Sequence, residues 1–156
     1  MAAPVPQRAQ VGRLGGLCVA VAIALADAAG AAGTGIVPLR VAGRPVQAEL
    51  ADRAALHATG LMWRERLAPD AGMLFVFATD AYPCMWMRDT RIPLSVAFID
   101  RAGRIVNIAD MVPHSLDMHC ATAPARYALE MNRGWFAGRA GAGDRVEGLA
   151  GLRALD

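Results

Sequence analysis

Leu94-Ser95-Val96-Ala97-Phe98-Ile99 runs into Asp100-Arg101-Ala102-Gly103 and returns as Arg104-Ile105-Val106-Asn107-Ile108. Two apolar, β-branched segments joined by a short glycine-containing loop predict a hairpin. Working outward, Met73-Leu74-Phe75-Val76-Phe77 is an unbroken apolar run behind the turn Pro69-Asp70-Ala71-Gly72, the pattern of a strand buried on both faces. Residues 127–131 alternate as a further strand. Shorter strands are expected at 36–41 and 45–51, parted by Gly43 and Arg44, and at 84–87 and 145–149. Asp52 is the expected N-cap of a helix through Thr59, with Gly60 after its end, and a helical turn is expected at 135–139. Residues 109–124 read as a long irregular stretch. Many short strands at close spacing predict a mainly β domain, a β-sandwich or partly closed barrel with one small helix.

Ahead of this domain lies a segment of another kind. Arg8 and Arg13 precede the apolar run 14–26, and small residues follow as Ala26-Asp27-Ala28 and Ala29-Gly30-Ala31. Charge, apolar run and small-x-small sites in series predict a signal peptide over 1–31, with the second cleavage site preferred. The apolar run is shorter than the roughly 20 residues of a membrane-spanning helix. Leu17 before Cys18 disfavours lipoprotein processing, and an uncleaved anchor is the alternative. Residues 32–44 then form a flexible lead-in and first strand, and 45–152 a single β domain, periplasmic or secreted.

The chain is 55% hydrophobic, a figure inflated by the leader. All 16 basic residues are Arg, against 14 acidic ones, for a net charge of +2. That balance lacks the basic stripe that nucleic-acid binding requires, and the absence of Lys excludes Schiff-base chemistry. With Cys18 in the leader, Cys84 and Cys120 predict one disulfide in an oxidising compartment, two buried thiols being the alternative. No Gly-x-Ser-x-Gly elbow, His-Glu-x-x-His pair, Cys-x-x-Cys motif or phosphate-binding glycine loop is present.

Gly60-Leu61-Met62-Trp63-Arg64, Gly72-Met73-Leu74-Phe75-Val76-Phe77, the run from Trp86 through Arg88-Asp89-Thr90 to Leu94, Ala97-Phe98-Ile99-Asp100, Tyr127-Ala128-Leu129-Glu130-Met131-Asn132-Arg133-Gly134 and Gly143-Asp144-Arg145-Val146 occur in that order. This ordered set resembles the domain-of-unknown-function family numbered 192. The resemblance implies a compact jelly-roll-like β-sandwich, often secreted or envelope-located, and no established biochemical activity. Two departures stand out: Arg88-Asp89-Thr90 replaces the family's usual Lys-Asn-Thr, and Ser95 stands where an Asp is common.

Two polar constellations are candidates for function: Trp86, Arg88, Asp89, Thr90 and Arg91 at a strand end, and Asp110, His114, Asp117 and His119 in the irregular stretch. If the stretch folds over that strand end, the two form a ligand-binding face; the structural alternative is an Arg–Asp pair fixing a turn beside solvated histidines. Glu130, alone in an apolar strand, is either a buried acid with a raised pKa or the ion-pair partner of an Arg such as Arg64, and the pair is preferred. Trp63, Trp86 and Trp135 either line a pocket or belong to the core. The resulting function is an exported cell-envelope binding or accessory module with an unidentified small ligand or envelope partner. No cofactor, resident metal or nucleic acid is assigned, and no membrane span remains after cleavage. One alternative is a small hydrolase using Asp89, Asp110 and His114 or His119. A second is a soft-metal site for Cu(I) built from Met85, Met87, Met111, Met118, His119 and Cys120. Intact-mass measurement of the exported protein should show loss of roughly 28 to 31 N-terminal residues; recovery of a chain beginning at Met1 or Ala2 would refute the leader assignment.

Overall fold

The computed structural model describes residues 35–155, so the leader assignment lies outside the described residues. Nine strands and one helix follow in order: β1 (Ile36–Val41), β2 (Arg44–Ala51), α1 (Ala54–Thr59), β3 (Ala71–Ala81), β4 (Cys84–Met85), β5 (Leu94–Ile99), β6 (Ile105–Met111), β7 (His119–Cys120), β8 (Ala125–Asn132) and β9 (Val146–Glu147). Seven of them form one sheet in the order β6-β5-β8-β3-β2-β1-β9, and β4 pairs with β7 in a second, small sheet. Every neighbouring pair is antiparallel except β2 and β3. Parallel strands need a crossover between them. Here the crossover is α1 with the turns after it, which places the segment from Ala54 to Asp70 over one face of the sheet.

The sheet curls until its two edges meet. Arg104, just before β6, bridges to Arg145, just before β9. The Val146 N–H donates to the Gly103 carbonyl at 2.8 Å and the Ile105 N–H to the Asp144 carbonyl at 2.9 Å. The fold is therefore a partly closed barrel, the second of the two architectures expected. Closure at this end satisfies edge groups that would otherwise stand unpaired.

A curled sheet has two faces to bury, and the sequence supplies both. The concave face carries Leu39, Val46, Leu74, Ile99 and Leu129 from the strands, plugged by Trp135, Phe136 and Leu149. The convex face of the central strands carries Met73, Phe75, Val96, Phe98 and Ala128, covered by Leu61, Met87 and Ile92 from the loops. Strand β5 is buried at all six positions, as its unbroken apolar run demands.

Several boundaries differ from expectation. Arg53, not Asp52, caps α1, without a side-chain hydrogen bond, because Asp52 instead accepts from Arg53 Nε at 2.9 Å. The strand expected over 84–87 ends at Met85, and that expected over 145–149 is confined to Val146–Glu147. The helical turn at 135–139 is a series of turns, so α1 is the one helix among the described residues. Strand β6 runs on to Met111, taking Asp110 out of the supposed loop, because its partner β5 is long enough to pair with it there.

Gly72 sits where β3 passes β8, and a Cβ built on it would lie 2.5 Å from the Glu130 carbonyl oxygen and against the Met131 sulfur. Gly72→Ala should therefore lower Tm by several degrees, on the order of 1–3 kcal/mol. Gly141→Ala, with open space around it, should leave Tm unchanged; equal Tm values for the two variants would contradict this packing.

Candidate functional site

Residues directly opposite one another in a sheet share a face. Glu49 of β2 faces Met73 of β3, Met73 faces Glu130 of β8, and Glu130 faces Val96 of β5. This row places Glu130 on the convex face, on one of the innermost strands, with apolar neighbours on either side. Its side chain is buried, with 4% of the residue exposed. Above it lies a cavity of about 80 Å³. The walls are His57 from α1, Phe75 from β3, Met85 at the end of β4, and Trp86 and Thr90 from the segment that follows. Gly60 closes the rim at φ 47°, where a side chain would be strained and a Cβ would press on the Phe75 ring at 3.3 Å.

Burial away from water drives the Glu130 pKa up from 4.5 to about 8, and no neighbouring charge or hydrogen bond opposes that shift. The acid is thus neutral at pH 7. Its carboxyl group borders the cavity, and no buried side-chain oxygen or nitrogen among the described residues is sealed off without a partner. His57 stands on the wall with Nε2 at 3.0 Å from the Ala51 carbonyl. A carbonyl only accepts, so Nε2 carries a proton and donates it there. The imidazole packs on Phe75 and Phe77, with ring centroids 5.9 and 5.4 Å away.

Three loops lace together around this cavity. The Trp63 N–H donates to the Asp89 carbonyl, the Met87 N–H to that of Ser115, and the His114 N–H to that of Thr90. Trp63, Asp89 and His114 all adopt left-handed backbone, at φ 60°, 55° and 61°. That conformation is unfavourable for a residue as bulky as Trp, and such strain gathers where surrounding structure imposes it, functional sites included. The expected disulfide is present: Cys84 and Cys120 are paired across β4 and β7, with Cα atoms 4.0 Å apart, and Cys84 borders the cavity.

The profile of the domain of unknown function 192 family, described as an uncharacterized ACR, matches residues 37–148. The chain belongs to this family. A crystal structure from Sinorhizobium meliloti 1021, named there a "putative transcription regulator", is 37% identical, covers 79% of this chain and 100% of its own, and superposes with a TM-score of 0.74. A protein of unknown function from Novosphingobium aromaticivorans DSM 12444 is 35% identical, covers 72% of this chain and 84% of its own, with a TM-score of 0.66. Among curated proteins, none matches the chain significantly. In this member of the 192 family, four of the segments that carry the resemblance meet at the cavity, through Gly60 to Met62, Phe75, Trp86 with Thr90, and Glu130.

The 192-family domain distributes the candidates named from sequence unevenly. Trp86 and Thr90 line the cavity. Arg88 lies over the Trp86 ring at 5.2 Å and contacts Asp89 at 3.4 Å, both side chains exposed. Arg91 pairs with Glu65 at 3.2 Å on the surface. Asp110 sits on β6 opposite Ser95, whose hydroxyl donates to its Oδ1 at 2.5 Å and accepts from the Gly134 N–H at 2.8 Å. The pair thereby sets a carboxylate beside the position where the family commonly carries an Asp. His114 contributes its backbone, Asp117 accepts from the Ser115 hydroxyl, and His119 lies opposite Met85. Among the described residues, no hydrogen bond joins Asp89 or Asp110 to either histidine. The soft-ligand set loses Cys120 to the disulfide and Met87 and Met111 to the core. The three tryptophans separate: Trp86 lines the cavity, Trp63 is 58% exposed, and Trp135 is buried in the plug of the concave face, donating to Asp70 at 3.0 Å.

The preferred pairing of Glu130 with Arg64 is not formed. Arg64 instead makes a two-pronged bond to Glu49 at 2.7 and 2.6 Å, which raises its own pKa. Beside Glu49 the sheet ends at β1, since β9 pairs only with Arg40 and Val41, and the Glu49 side chain keeps part of its hydration. His57, Gly60 and Phe75 were not named as site residues from sequence, where Gly60 and Phe75 stood only for a helix end, a buried strand and the family motifs. Their role arises where the crossover lands, and only the lone acid in an apolar strand gave a local signal.

Because the folded-state pKa of Glu130 is raised, its contribution to stability is complete below about pH 4.5 and is lost progressively as pH rises towards 8. Unfolding measured from pH 5 to pH 8 should show the wild type losing on the order of a few kcal/mol relative to Glu130→Gln. Parallel pH profiles for the two proteins would show that Glu130 titrates normally.

Proposed function

We propose that this protein is an exported module of the cell envelope that binds a small ligand in the Glu130 cavity. The observation that carries the reading is a buried, unpaired carboxylic acid at the floor of a cavity. An acid kept only for structure is ordinarily paired, as Glu49 is with Arg64 on the same face. Burying one without a partner costs stability, and such groups concentrate at sites that use them. A concave site that sets a few polar side chains, here Glu130, Thr90 and His57, among aromatic and thioether walls is the usual form of a small-molecule pocket.

Export is supported by the leader-like sequence of residues 1–31 and by a disulfide suited to an oxidising compartment. No helix among the described residues is long and apolar enough to cross a membrane. A ligand site accounts for the geometry better than the hydrolase reading does. Asp89 and Asp110 have other partners, and the Thr90 hydroxyl donates to the Arg88 carbonyl at 3.3 Å rather than to a base. The regulator description belongs to the Sinorhizobium protein. Here a net charge of +2, with Arg64, Arg91, Arg101 and Arg126 in ion pairs, gives little drive towards a phosphate backbone.

Ala58 is an exposed position of α1 on the cavity wall, so Ala58→Trp should obstruct the mouth at little cost in stability. A fragment screen followed by amide chemical shifts should find hits that perturb His57, Gly60, Trp86 and Thr90 together, and Ala58→Trp should abolish them. Hits that cluster elsewhere, or persist unchanged in Ala58→Trp, would refute this site.

A further inference from the structure

We infer that the group admitted to the Glu130 cavity is a small organic cation, a protonated amine or guanidinium at the end of a ligand; this rests on the cavity being the binding site. The lining has one carboxyl group at its floor, the aromatic rings of Phe75 and Trp86 and the thioethers of Met62 and Met85 on its walls, and no Arg. Aromatic faces and thioether sulfurs present electron density to a cation, and a carboxylate supplies the countercharge. The face of Trp86 already carries a guanidinium, that of Arg88 at 5.2 Å. An anion would meet the acid beside two groups whose hydrogens are already given away, the His57 Nε2–H to Ala51 and the Thr90 hydroxyl to Arg88, whereas a cation makes the acid its counter-ion.

Size narrows the class. An apolar cavity of roughly 150 Å³ accommodates benzene. A volume of about 80 Å³ therefore suits a few heavy atoms: an ammonium on a short alkyl stem, or a single guanidinium. Trp86 is 41% exposed, so its outer part remains available to the body of a longer ligand reaching out of the cavity.

Binding has a defined proton balance. The Glu130 carboxylic acid and the incoming cation form a carboxylate–cation pair, and the carboxyl proton leaves to solvent; no covalent bond to the ligand forms or breaks. The charged and titratable groups around Glu130 are few. Helix α1 contributes His57, and β4 contributes Cys84, which is oxidised. The segment after β4 brings Arg88, Asp89 and Arg91, all exposed and in ion pairs. Strands β3 and β5 present Met73 and Val96, and Glu49 on β2 is matched by Arg64. Since burial holds the Glu130 acid at a pKa of about 8, affinity for a cation should rise about tenfold per pH unit from pH 6 towards 8 and then level off.

The test is a titration of the whole mature protein at pH 6, 7 and 8 and constant ionic strength, using propylammonium, methylguanidinium, propanol and propionate. Amide shifts locate the binding, and the carboxyl carbon shift of Glu130 follows its ionisation. Propylammonium or methylguanidinium should perturb the cavity residues, lower the apparent pKa of Glu130 and gain about tenfold in affinity between pH 6 and 7. Glu130→Gln should keep its fold while losing that affinity and its pH dependence. Propanol or propionate binding in the cavity, at equal or higher affinity than the cations, would overturn the cation inference while leaving the binding site standing. Cation affinity unchanged in Glu130→Gln would overturn it in the same way. If no probe perturbs the cavity residues, both the inference and the site fall.

Discussion

Along most of their length the central strands β3, β5 and β8 are buried on both faces, and the architecture follows from covering both. The concave side is closed by curling the sheet until the start of β6 meets the start of β9, with Trp135 and Phe136 filling the space within. The convex side cannot be covered by the sheet itself. It is covered by whatever the connections supply: the short helix α1, the turns after it, and the loops held by the β4–β7 pair. A cover assembled from loops packs less completely than a barrel interior, and the cavity lies under that cover.

Position within the sheet separates the two acids of one cross-strand row. Glu49 and Glu130 share a face, with Met73 between them, at a separation of about 10 Å across two strand spacings. Glu49 is near enough to the edge to keep solvent and to receive Arg64 in a two-pronged bond. Glu130 lies buried between Met73 and Val96 of the neighbouring strands. The same residue type is therefore an ionised structural partner on β2 and a neutral acid on β8, and burial decides which.

The disulfide and the left-handed residues act on the cover rather than on the barrel. Cys84–Cys120 ties the segment before Trp86 to the end of the loop that carries His114. Hydrogen bonds from Trp63, Met87 and His114 then fix three loops against one another. With loops held in this way, the cavity walls are fixed by the fold itself.

By itself the sequence determined the strands, because apolar runs such as Met73 to Phe77 and the hairpin around Asp100 to Gly103 are local patterns with local causes. It also determined the family, through motifs in a fixed order, and it pointed to the disulfide between Cys84 and Cys120. It marked Glu130 as exceptional, since an acid in an alternating apolar strand contradicts its surroundings wherever that strand goes. What surrounds Glu130 was decided by tertiary structure alone. Arg64 and His57 are close in sequence, yet one is directed to Glu49 and the other to the cavity wall by the path of the crossover. Asp110, read as a loop residue, joined β6 because β5 offered it a partner, and Asp89 and Arg88 stayed in solvent. Side-chain chemistry is written residue by residue, but burial and proximity depend on strand order and on where loops land, and those are properties of the whole fold.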